Sequence, residues 1–167
     1  MKVPSGTPLI RNEPVKNGDV SSILHSVPKN FNGYLAVTGI GYSGVEEAIF
    51  LVDSGTVTHA YYLHLKYSYE EKGDGALEKA FNVFLTDGAN VDVVELTVPK
   101  LKLTASFNED TKLNKPFSLF DLQKLVPSSY NKDHVVRIMR LLPSAELSSI
   151  LRLIEVGLGM GKAEDLR

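Results

Sequence analysis

Apolar positions along the chain change period several times, and each change marks an element. Val20, Ile23, Leu24 and Val27 fall at helical spacing, with Asp19 placed as an N-cap and Pro28 as a stop, which predicts a short amphipathic helix. Tyr34 to Thr38, Ala48 to Val52 and Thr56 to Leu65 are β-prone runs. Asp53-Ser54-Gly55 between the last two reads as a hairpin turn, because Gly55 tolerates the positive φ that closes it. The three runs predict an antiparallel meander. After a polar loop over Tyr69 to Asp74, the set Ala76, Leu77, Ala80, Phe81, Phe84 and Leu85 forms one helical stripe, with Gly88 as its cap. Val91 to Leu96 reads as another strand. In Thr97 to Phe107 the residues Leu101, Leu103, Ala105 and Phe107 alternate, yet Thr97 and Pro99 suit a helix start, and the helix is the reading adopted.

The ends have a different texture. Residues 1 to 18 hold Pro4, Pro8, Pro14, Gly6 and Gly18, so an irregular lead-in able to pair at a sheet edge is expected. Asn108 to Pro116 is polar and reads as a boundary. Beyond it only helical patterns occur: Ser118 before Leu119, Leu122 and Leu125, then His134 to Leu142, then Ser144 before Leu147, Ile150, Leu151 and Ile154. Such short helices are marginal alone and must pack on something. Gly157-Leu158-Gly159-Met160-Gly161 has the composition of a linker. The expected fold is α+β: an antiparallel meander sheet with packed helices over residues 1–112, followed by a small C-terminal helical unit over 113–167.

Composition narrows the function classes. A chain of 167 residues with 43% hydrophobic and 23% charged residues can bury a core without a staple. A net charge of -2 supplies no global positive field for nucleic acid or anionic membranes. The absence of cysteine removes thiol nucleophiles, thiolate metal sites and disulfides, and fits a reducing compartment. The first residues carry no signal-peptide pattern and no stretch reaches the ~20 apolar residues of a spanning helix, so a cytoplasmic location is expected.

Gly39-Ile40-Gly41-Tyr42-Ser43-Gly44 matches G-x-G-x-x-G directly after a strand-like run. In a nucleotide site Gly39, Gly41 and Gly44 would let backbone approach a pyrophosphate resting on a following helix N-terminus. Thr56 to Tyr69 contains no Asp or Glu for ribose hydroxyls, and Ile49-Phe50-Leu51-Val52 suits a buried strand better than a helix. A glycine-rich connection between antiparallel strands is the main reading; a nucleotide-binding loop is the alternative.

No other constellation assembles chemistry. His59 and His64 lie five apart on a strand and face opposite ways, so they cannot share a metal, while His25 and His134 stand alone on short helices. Glu46-Glu47 and Glu70-Glu71 read as a solvated rim, and Lys100, Lys102, Lys112, Lys115 and Lys124 are only a mild basic excess. No catalytic residue, metal or cofactor is assigned. Tyr42, Tyr61, Tyr62, Tyr67 and Tyr69 gather at one end of the predicted sheet, where aromatic rings with a polar tip favour interfaces, although half of them could equally fill the core.

Gly33 to Leu35, then Leu51-Val52-Asp53-Ser54-Gly55-Thr56-Val57-Thr58-His59-Ala60, then Gly73-Asp74-Gly75-Ala76-Leu77 form a strand, an Asp-x-Gly hairpin and a helix opening Gly-x-x-Ala-Leu. This arrangement resembles the PATAN-type module, and also an uncharacterised archaeal family with the same core and an Asn after the following element, here Phe107-Asn108. The resemblance spans about residues 19 to 108 and departs at the tyrosine-rich stretch between Ala60 and Gly73. It implies a non-enzymatic adaptor that binds a protein partner or itself in signalling or regulation, with no catalytic residues to carry over.

Overall fold

A computed structural model describes residues 1–142. Residues Met1–Lys132 form one compact unit, and the chain from Asp133 belongs to a second, of which the helix over 133–142 is described. The expected helix after Ser144 and the glycine-rich end lie outside the described residues. The expected boundary at 112/113 falls at the start of a strand that joins the sheet of the first unit.

That unit is α+β, built on a seven-stranded antiparallel sheet. The meander is formed by β2 (Gly33–Gly41), β3 (Gly44–Asp53) and β4 (Thr56–His64). β6 (Asp87–Glu95) returns to pair with β2, and β1 (Thr7–Pro14), the lead-in, pairs outside β6 as an edge strand with two register shifts. Pro8 and Pro14 remove amide donors there, consistent with an edge position. The opposite edge of β4 is shared end to end. β5 (Tyr69–Lys72) pairs with Tyr61–His64, and β7 (Lys112–Ser118) pairs with Thr56–His59. The sequence pattern predicts a polar loop at the first and a polar boundary at the second, and both are short, exposed edge strands whose apolar alternation is too weak to signal pairing.

One face of the sheet carries Leu35, Val37, Ala48, Phe50, Ala60, Tyr62, Val91 and Val93, all fully buried or within about one part in a hundred of it. α2 (Leu77–Val83) covers this face, with Phe81 and Phe84 stacked on Phe50 at centroid distances of 5.8 and 6.0 Å. Burying a ring of this size stabilises by about 1.5–3 kcal/mol. α1 (Ser21–Ser26) buries Ile23 and Leu24, and Gln123 of α4 (Leu122–Leu125) ties its start by accepting from the Val20 amide and donating to the Gly18 carbonyl. The second face is covered only in part, by α3 (Val98–Phe107), through a cluster of Leu51, Leu96 and Leu101. No helix among the described residues is long and apolar enough to cross a membrane.

The Asp53-Ser54-Gly55 turn forms as expected, with positive φ at both Ser54 and Gly55. Gly88 does not cap α2. It lies inside β6 at φ 59, near the register shift opposite Thr38 and Ile40, and so works as a bulge glycine.

Candidate interaction surface

The glycine motif is a β-hairpin. Gly41 pairs with Gly44 across the Tyr42-Ser43 turn, and Gly44–Asp53 is strand throughout, so no helix N-terminus follows the glycines to hold a phosphate. Gly39 and Gly41 have a different cause. They share a face with Glu46, and β-carbons at these positions would overlap Thr86 Oγ1 and Glu46 Oε1. Gly41 makes room for the buried Glu46 carboxylate, and Gly39 for Thr86.

Glu46 is 1% exposed, which corrects its assignment to a solvated rim: neighbours on a strand face opposite ways, and Glu46 points inward while Glu47 does not. Its Oε2 accepts from Tyr62 Oη at 2.9 Å and its Oε1 accepts from Tyr130 Oη, whose oxygen in turn accepts from the Tyr42 amide at 2.8 Å. Burial and the neighbouring Glu46 carboxylate push both phenols, Tyr62 and Tyr130, well above the ordinary tyrosine range. His64, opposite Glu46, is also fully buried; its Nε2 lies 3.2 Å from the Tyr42 carbonyl and its ring packs, tilted by 32°, against Tyr67 at 4.8 Å. Donation to that carbonyl puts the proton on Nε2. Around Glu46 the structure thus places a buried polar brace that stiffens the turn end of the sheet.

The five tyrosines do not form one surface. Tyr62 is buried in the brace and cannot touch a partner. Tyr42 is exposed, and Lys132 Nζ sits 6.0 Å from its ring centroid. Tyr67 is half-buried on His64 with its hydroxyl 2.8 Å from Ser43 Oγ, and Tyr69 donates to Glu71, which also pairs with Lys79 of α2. Tyr61 lies on the second face and is itself buried, at 6% exposure. The split follows from the two-residue period of β4, which sends Tyr61 and Tyr62 apart, as it does His59 and His64.

Tyr61 opens onto a groove of about 910 Å³ between the N-terminal segment, β4, β5 and α3. Its apolar wall comes from Val3, Pro4, Leu103 and Phe107. Leu103 is 58% exposed and Phe107 78%, one helical turn apart on α3. Leu101, on the other side of the same helix, is buried in the core. α3 is therefore apolar on two sides with only one of them covered, and a helix apolar on both sides is one that packs on both. The signal is present in the sequence: Leu101 and Ala105 make one helical stripe, Leu103 and Phe107 a second.

The groove's acids are engaged internally. Lys72 bridges Glu70 at 3.1 Å and Asp110 at 2.7 Å, and Tyr61 Oη donates to Glu70 at 2.9 Å. The hydrogen bonds from Tyr61 and Lys72 hold the Glu70 carboxyl below the usual range, and the Lys72 bond does the same for Asp110. Burial, then the bond to Glu70, pushes the Tyr61 phenol up to about 12. Asn108 closes the upper end by holding the Lys2 main chain. Among the described residues no group of three or more His, Cys, Asp or Glu side chains is placed to hold a metal ion.

Residues 1–108 match the model of a family described as an uncharacterized protein conserved in archaea (DUF2226). The chain belongs to that family. The match ends at Asn108, and every apolar residue of the groove wall falls within the archaeal family's segment. No curated protein and no solved structure matches the chain, and nothing in these comparisons links it to the PATAN-type module.

Proposed function

We propose that this member of the archaeal family is a non-enzymatic protein-interaction module of the cytoplasm, and that the groove along α3 is its contact surface. The observation that carries the reading is the exposure of Leu103 and Phe107, 58% and 78%, one turn apart on the groove's apolar wall beside Val3 and Pro4. Exposed apolar side chains scattered singly need no explanation, but a contiguous set lining a concavity is what interaction sites present. The groove's two carboxylates, Glu70 and Asp110, are held by Lys72 and, for Glu70, by Tyr61 as well. The hairpin and Gly-x-x-Ala-Leu likeness to the PATAN-type adaptor points the same way. The test compares wild type with a L103S/F107S variant, each immobilised in an extract of its host cells. Proteins retained by wild type and lost from the folded variant support the reading; an identical set on both removes it.

A further inference from the structure

Resting on that reading, we infer that the partner presents an acidic peptide segment, carboxylates interleaved with aliphatic or aromatic side chains, to the α3 groove. Both carboxylates of the groove, Glu70 and Asp110, are already paired with Lys72 and, for Glu70, Tyr61. Two lysines of the same lining, Lys2 and Lys100, make no ion pair with a described carboxylate. Lys100 Nζ reaches only the neutral Ser5 carbonyl, at 3.1 Å. α3 itself, Val98–Phe107, contains no acidic residue, and Lys100, Leu103 and Phe107 line up along one side of it at intervals of three and four.

The surface left open to a ligand is thus a cationic end followed by two apolar steps. At a rise of 1.5 Å per residue, Lys100 to Phe107 spans about 10 Å, roughly three residues of an extended peptide at about 3.3 Å each. An acidic side chain opposite Lys100 with an apolar one two or three residues away matches that spacing. A basic segment would meet two unpaired lysines and leave the apolar wall as its sole attraction.

The experiment measures fluorescence anisotropy of two labelled short peptides, one alternating glutamate with leucine and phenylalanine, the other carrying lysine in place of glutamate. The acidic peptide is expected to bind the full chain. Binding should weaken about tenfold when salt rises from about 50 to about 200 mM, as an interaction between partly exposed charges requires. K2E/K100E should weaken it at least as much, and K2Q/K100Q to a smaller extent, with both proteins keeping their wild-type thermal midpoint. L103S/F107S should abolish it. Equal binding of the two peptides, or binding unaffected by either set of variants, overturns the inference. So does binding of phosphatidylglycerol vesicles without binding of the acidic peptide, which would make the surface a membrane contact, and so does a dimer that only L103S/F107S dissociates. If the extract experiment retains a partner through Leu103 and Phe107 while the acidic peptide fails, the interaction module stands and the charge assignment falls.

Discussion

Asn108 holds the main chain of Lys2 from both sides, its Nδ2 donating to the Lys2 carbonyl at 2.9 Å and its Oδ1 accepting from the Lys2 amide at 3.0 Å. One side chain thus does for the N-terminal segment what a neighbouring strand does for a sheet edge. The same Nδ2 donates to Thr104 at the end of α3, so the helix, the segment and the groove between them are set by a single amide. N108A should free the first residues and cost about 1–3 kcal/mol, because Lys2 and Thr104 lose their partner in a partly buried place. Amide exchange read by mass spectrometry should rise at residues 1–5 and at the end of α3; unchanged exchange in both would show the clamp to be idle.

Glu46 is the second support. E46A removes the acceptor of two hydroxyls, Tyr62 and Tyr130, and leaves a hole above Gly41. A loss of about 3–5 kcal/mol is expected, against a smaller loss for E46Q, which keeps an acceptor. Urea unfolding checks the order, and E46A as stable as wild type would deny the brace any role.

L103S/F107S should behave in the opposite way. Both side chains are mostly in water already, so stability should move by no more than about 0.5 kcal/mol. The thermal midpoint tests this. A large drop would mean the pair is covered and belongs to the core.

Much of the sheet was legible. β2, β3, β4 and β6 announce themselves through β-branched and aromatic runs, and the Asp53-Ser54-Gly55 turn fixes the register of two of them. β5 and β7 were not, since Tyr-Glu-Glu-Lys and a segment holding Asn114, Lys115 and Pro116 carry the polarity of loops; edge position, which only the assembled sheet defines, makes them strands. The tyrosine cluster was legible as a concentration but not as a surface, because Tyr62 and Tyr42 are held by Glu46 and Tyr130, and Tyr130 lies 84 residues from Glu46. No local pattern discloses a contact of that separation.

Two phenols supply a titration test. Burial and hydrogen bonding to Glu70 and Glu71 raise Tyr61 and Tyr69 to about 12 in the folded chain. The unfolded chain gives up those protons near the ordinary value of about 10. Neutral Tyr61 and Tyr69 therefore contribute stability that is complete below pH ~10 and is lost as pH rises towards ~12. Denaturant midpoints should fall across that window, and Y61F/Y69F should flatten the fall; an equal slope in both proteins would contradict the assigned bonds.

The central claim is that the α3 groove is where a protein partner sits. It is tested most directly by a photo-crosslinking residue at position 107, with the same residue at position 40, exposed at 63% on the far turn end of the sheet, as control. Illumination in host-cell extract should yield a discrete heavier adduct from position 107 and none from position 40. Adducts from position 40 alone, or the same diffuse products from both, would contradict the account.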